Sequence, residues 1–199
     1  MKFPGKLAAI ALFAAFALPA SASRIKIQEG NLDALKGQTE VNIEFDYSDF
    51  GVGKFDKEED YVKDKVEAYN KKEPGKGDSW AKAWVADRKN SYEPSFIEKF
   101  EEYSKLTVVK KPAKYTIIFK VTFIEPGYNV YVSRKYANVN GEAWLVETAD
   151  HSKVLGKVVV ENNPGRTYGG NDYDTGVRIA ESFEYAGKYF GKFVKDEIN

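Results

Sequence analysis

The chain has no cysteine and one histidine, His151, in 199 residues. Those absences remove thiolate nucleophiles, disulfides, iron–sulfur clusters and Cys/His zinc cages from the chemistry it can build alone. Net charge is absent too: 30 Lys and Arg balance 30 Asp and Glu, so no bulk electrostatic attraction draws it to nucleic acid or to an anionic membrane. No Gly-Lys-Ser/Thr follows Gly169-Gly170, and no G-x-G-x-x-G stands between a strand and a helix, which removes the familiar nucleotide loops. What is present is the composition of a folded domain. At 43% hydrophobic and 15% aromatic the chain is too rich in apolar residues to stay disordered, and its length suits one domain.

Its start is organised differently from the rest. Lys2 and Lys6 precede an apolar run from Leu7 to Leu18, then Pro19 and Ala20-Ser21-Ala22. That order predicts a secretory signal peptide over residues 1–22 with cleavage after Ala22. The run is about a dozen residues, short of the ~20 that cross a bilayer as a helix. No cysteine follows it, so a lipid anchor of the bacterial lipoprotein kind has no attachment point. A periplasmic or secreted, unanchored and mildly acidic product is expected, with residues 23–199 as a single α+β domain.

Beyond residue 23 the apolar spacing sets the elements. Arg24 to Ile27 is strand-like, and Val41, Ile43, Phe45 and Tyr47 alternate with Asn42, Glu44 and Asp46, one half-buried strand. Asp56 with Glu59 resembles a capping box, and Val62, Val66 and Tyr69 then recur at helical spacing to about Asn70. Glu73 to Asp78 reads as a connector; Trp80, Ala83 and Trp84 share a face of a second helix, and Phe96, Ile97, Phe100 and Tyr103 form the stripe of a third. The second half reads as strands. Tyr115, Ile117, Phe119, Val121 and Phe123 alternate with Thr116 to Ile124 and stop at Pro126-Gly127; Tyr128 to Val132, Ala143 to Thr148 and Val154 to Val160 continue an antiparallel meander. A loop of roughly a dozen residues leads to a last helix in which Ala180, Phe183, Gly187, Phe190 and Val194 share one face. Gly187 and Gly191, one turn apart, leave room for a neighbouring backbone. The predicted class is α+β: a mostly antiparallel sheet, helices covering one face, and the long C-terminal helix packed on it.

Candidate chemistry is sparse. His151 lies in a polar turn, Ala149 to Lys153, and Gly77-Asp78-Ser79-Trp80-Ala81 lacks the second glycine of a nucleophile elbow, so a Ser-His-Asp triad is not expected. Glu58, Glu59 and Asp60 favour the positive end of a helix dipole, and Glu98, Glu101 and Glu102 sit beside lysines, which explains them without a hydrolytic dyad. The loop Tyr168 to Gly176 fails as an EF-hand: counting from Asp172 puts Val177 and Phe183 where the turn glycine and the bidentate Glu belong. A helix cap by Asp174 or Thr175 is the expectation there. No catalytic residue, metal or cofactor is called. The candidate binding residues are aromatic, acidic or basic: Arg166, Tyr168, Asp172 and Tyr173 in or beside the loop, with Trp80 and Trp84, whose helical spacing also fits a core.

The order of elements carries a resemblance. Lys114 to Ile118 as a long strand, then Ala137 to Val146, then Asp150 to Gly156 is similar to the strand, strand, turn and strand order of periplasmic curli-assembly lipoproteins and Tol-type N-terminal domains. The resemblance spans Tyr115 to the end and implies an envelope domain that binds partners, with no catalytic residues to carry over. The missing lipobox cysteine and the helical, Trp-rich insert from Asp56 to Lys105 depart from that pattern. The signal peptide, Lys-Glu-rich helices and Tyr-rich strands also resemble uncharacterised secreted proteins of anaerobic gut bacteria. The function these readings imply is a non-catalytic binding module in envelope assembly or maintenance; the alternative is a glycan-binding or glycan-hydrolysing protein. The implied partner is an envelope protein or a glycan, with no nucleic acid and no membrane anchor.

Overall fold

A computed structural model describes residues 23–130, 132–167 and 175–199. The signal-peptide segment lies outside the described residues. In chain order the elements are β1 (Arg24–Gly30), a 3-10 turn at Asp33–Leu35, β2 (Glu40–Asp46), β3 (Gly51–Val52), α1 (Glu58–Lys72) and α2 (Lys76–Asp87). A π-helical turn at Arg88–Tyr92 leads into α3 (Glu93–Ser104), then β4 (Thr107–Val108), β5 (Tyr115–Glu125), β6 (Tyr128–Val130), β7 (Ser133–Lys135), β8 (Asn138–Glu147), β9 (Asp150–Pro164) and α4 (Gly176–Ile198). Among the described residues no helix is long and apolar enough to cross a membrane.

The main sheet runs β1-β9-β8-β5-β2-β4, with β3 also against β5. Strands β5, β8, β9 and β1 pair antiparallel, which is the expected meander. Strands β2 and β3 run parallel to β5, and β4 parallel to β2, so the sheet is mixed where a mostly antiparallel one was expected. The cause is the helical insert: a crossover that carries helices returns the chain in the direction in which it left. The stretch from Tyr128 does not continue the sheet either. Pro126 has no N–H to offer a ladder and Gly127 adopts a left-handed φ of 66°, so the chain leaves β5 and β6 pairs with β7 in a separate hairpin.

The face of β5 changes along its length. Ile117, Phe119 and Val121 point into the core, but a bulge between Val121 and Phe123 turns the pleat over, so Ile124 is buried in the place the alternation assigned to Phe123. Against this face pack α3 and α4. Phe96 of α3 lies 4.6 Å from Phe119, and Phe183 of α4 lies 6.4 Å from the same ring. The expected packing of α4 on the sheet is therefore present, but its glycines serve another contact. A methyl group at Gly187 would run into the backbone carbonyl of Phe96, and one at Gly191 would stand 2.8 Å from that of Phe100, so the two glycines admit the backbone of α3. The opposite face of the sheet carries Lys120 and Lys157, 4.5 and 4.6 Å from the Trp144 ring.

Helix α1 is capped one residue later than expected. Its N-cap is Lys57, with no side-chain capping bond, and neither Asp56 nor Glu59 closes a capping box. Glu58 is instead drawn inward: its Oε1 accepts from the Trp84 indole N–H at 2.5 Å and pairs with Arg88.

Candidate functional site

A cleft of about 300 Å³ opens where α1, the end of β3 and the β5–β6 turn meet. Each wall has a local cause. Gly53, with φ 59°, donates its N–H to the Ile124 carbonyl at 2.9 Å, which swings Lys54 and Phe55 to one side. Helix α1 presents Tyr61, Asp64 and Lys65 from adjacent turns, as residues three and four apart on a helix must. Glu125 to Tyr128 form the third side, and Thr175, the residue before α4, closes one end.

The β5–β6 turn is held from both sides. Glu125 accepts from the Gly127 N–H at 3.1 Å and from Lys135 at 2.5 Å. Beneath it Arg178, fully buried, reaches the Pro126 carbonyl through Nε at 3.4 Å and the Gly127 carbonyl through Nη2 at 3.5 Å. A buried guanidinium carries a large desolvation cost unless its donors are satisfied, and these two long contacts to the turn are among those it makes.

Its lining is polar and aromatic. Asp64 is exposed and makes no ion pair among the described residues, and Tyr128 stands on the rim, 38% exposed. Tyr61 presents its ring from below, with Lys65 over it at 5.6 Å, and burial holds its phenol well above the usual tyrosine range. Among the described residues the lining contains no histidine or serine. Hydrogen-bond donors and acceptors beside ring surfaces are what the cleft offers a polar ligand. Among the described residues no group of three or more histidine or acidic side chains is placed to hold a metal.

The residues singled out from sequence fall in three places. Trp80 and Trp84 are each 3% exposed, stacked 5.5 Å apart, so they offer no ring to a ligand directly. The turn of α2 that brings them together aims them at α1, and Tyr61 contacts both, at 5.8 and 5.1 Å. They form the wall behind the cleft. Arg166 is exposed and lies over the Tyr185 ring of α4 at 5.2 Å, away from the cleft lining. Tyr168, Asp172 and Tyr173 lie outside the described residues. Thr175 occupies the cap position of α4, but its side chain makes no capping bond. His151 is exposed near the start of β9, 4.0 Å from the Glu44 carboxylate, and its neighbour Ser152 is bonded to Asp150 at 2.6 Å.

Sequence reasoning passed over Asp64, Tyr128 and Arg178. Of these, Arg178 left a signal. It shares an i, i+4 row with Ser182 and Ala186 on the buried side of α4, and an arginine on such a row must be answered by acceptors elsewhere in the fold.

No protein-family model matches the chain, and no curated protein matches it. Among solved structures it is similar to PelC from Paraburkholderia phytofirmans, as a dodecamer of a point variant (13% identity, TM-score 0.36) and as a dodecamer in a second crystal form (11%, 0.35). Each match covers 83% of this chain and 98% of the other. TM-scores this low carry no functional assignment.

Proposed function

We propose that this protein is a non-catalytic binding module of the bacterial cell envelope, periplasmic or secreted after loss of residues 1–22, with the cleft beside α1 as its ligand site. The observation that carries the reading is the buried Arg178 guanidinium. It lies beneath the turn that forms one wall of the cleft, with two long contacts to that turn's carbonyls among its interactions, and the exposed Asp64 and Tyr128 stand along the same cleft. A second reading, a glycan-binding or glycan-hydrolysing protein, is favoured by the convergence of Asp64, Glu125 and Tyr128 along one cleft.

Tyr61 links the cleft to the tryptophans, which gives a direct test. Titration of the protein with soluble peptidoglycan fragments and, separately, with detergent-solubilised envelope proteins is expected to change tryptophan emission. The change should saturate, and Asp64→Ala/Tyr128→Ala should weaken it at least tenfold. Saturation with the protein fraction alone supports the envelope-partner reading; saturation with the fragments alone moves the assignment to glycans. No change with either, or the same curve for the double variant, contradicts the cleft as the site.

A further inference from the structure

The outer side of α4 carries an arrangement that the cleft does not use. Tyr185 and Tyr189 stack at 5.9 Å, one turn apart, and Tyr103 of α3 joins them across the helix pair. Three cations lie on these rings. Arg166 sits over Tyr185 at 5.2 Å, Lys188 lies 5.2 Å from Tyr103 and 5.9 Å from Tyr185, and Lys192 lies 5.0 Å from Tyr103. None of the three has an ion-pair partner among the described residues, whereas Lys120, Lys135 and Lys157 each have one.

The strip is positioned from within. Glu181 accepts from the backbone N–H groups of Arg166 and Thr167 at 2.9 and 2.8 Å and from the Thr167 hydroxyl at 3.0 Å, which pins the end of the β9 segment against α4 and sets Arg166 over Tyr185. Its carboxylate is thus engaged with amides. Among the described residues Glu184, one turn before Lys188, makes no ion pair with it. Among the described residues Lys188 and Lys192 therefore face no carboxylate partner, and ring quadrupoles beneath the cations help hold them at the surface.

We infer that this strip is a binding site for an acidic polysaccharide, a linear chain bearing carboxylates along its length. The cations succeed one another along the helix axis, with Lys188 and Lys192 about 6 Å apart by helical rise, so a chain lying along α4 meets them in turn. Tyrosine hydroxyls and ring edges beside each cation suit the hydroxyls and C–H faces of sugar rings. A bilayer or a large protein interface would need exposed aliphatic surface, and the strip has none: the exposed valines of the chain lie on α2, on the β6–β7 hairpin and at the first turn of α4. The strip shares no residue with the cleft, so its failure and the failure of the cleft reading are separable.

The test uses the chain from residue 23 onward with polygalacturonate as the acidic probe, dextran as the neutral one, and vesicles of phosphatidylglycerol and phosphatidylethanolamine as the lipid one, by calorimetry and co-sedimentation at low ionic strength. Binding to polygalacturonate is expected, weakening as salt rises, with none to dextran. Lys188→Gln/Lys192→Gln is expected to weaken it at least tenfold, and Arg166→Gln severalfold. Lys63→Gln/Lys82→Gln removes the same charge from exposed positions on α1 and α2 and should leave it within twofold. No binding, equal loss in the control variant, equal affinity for dextran, or tighter binding to vesicles would each overturn the inference. A tyrosine variant, Tyr185→Leu, checks the ring contribution separately from charge.

Discussion

The two ends of α4 are built on opposite principles. Toward its C-terminus the helix is stripped to Gly187 and Gly191 so that α3 comes within backbone contact, and Phe190 lies 5.5 Å from Phe100 in an apolar seam. Toward its N-terminus it buries a charge, Arg178, under the carbonyls of a turn. The first end maximises contact on its inward face. The second accepts a desolvated guanidinium and obtains a shaped wall with exposed polar groups on its far side. Where a fold tolerates a buried charge rather than another apolar side chain, the structure it fixes is the place to look for function.

Substitutions sharpen that contrast. The largest loss is expected at the seam. Gly187→Ala forces α3 and α4 apart and should cost about 3 kcal/mol, read as a lower denaturant midpoint with little effect on ligand-induced fluorescence in the protein that remains folded. Next comes Arg178→Met, which keeps much of the volume but leaves the Pro126 and Gly127 carbonyls without this donor. A cost of about 2 kcal/mol is expected together with loss of the cleft response, the reverse of the glycine pattern. Equal effects of the two variants on binding would erase the distinction between the two ends.

Smaller effects follow from the cluster behind the cleft. Glu58→Gln weakens the acceptor shared by Trp84 and Arg88 and should cost about 1 kcal/mol, with a shift in tryptophan emission because the indole N–H changes partner. The smallest effect at neutral pH is expected for Tyr92→Phe, since that hydroxyl is buried without a hydrogen-bond partner among the described residues. Its effect appears in alkali. Burial raises the Tyr92 phenol far above its ordinary value, with Asp87 adding to the shift, and burial likewise raises Tyr47 and Tyr61. A phenol raised in the folded state stabilises fully below its unfolded value near pH 10 and loses that contribution as pH climbs toward the folded value. Denaturant midpoints should therefore fall above about pH 10, and less steeply in Tyr92→Phe.

Much of the scaffold was legible because its causes are local. The period of two in β5 and the helical stripes of α1, α3 and α4 all appear, and the glycine spacing of α4 signalled a close backbone approach, although the partner turned out to be α3. Three misreadings have tertiary causes. The parallel pairing of β2 with β5 depends on where the helical insert returns, the exchange of Phe123 for Ile124 on a one-residue bulge, and the missing capping box on the pull of Trp84 and Arg88 on Glu58. The site was less legible than the fold. Trp80 and Trp84 take the core position that their helical spacing fits and back the cleft from within, while Asp64 and Tyr128 come from segments far apart in sequence that converge only when β3 and β5 pair. Arg166 reached a surface strip whose tyrosines belong to two other elements.

The most direct test of the cleft is site-specific photo-cross-linking in the host envelope, with a benzophenone amino acid at position 128 on the cleft rim and, as control, at position 85, where Val85 is exposed on α2. The account predicts a discrete adduct from position 128 that disappears in an Arg178→Met background, and none from position 85. Adducts of equal yield from both positions, or an adduct from position 128 that persists without Arg178, would contradict a binding surface formed by the buried guanidinium.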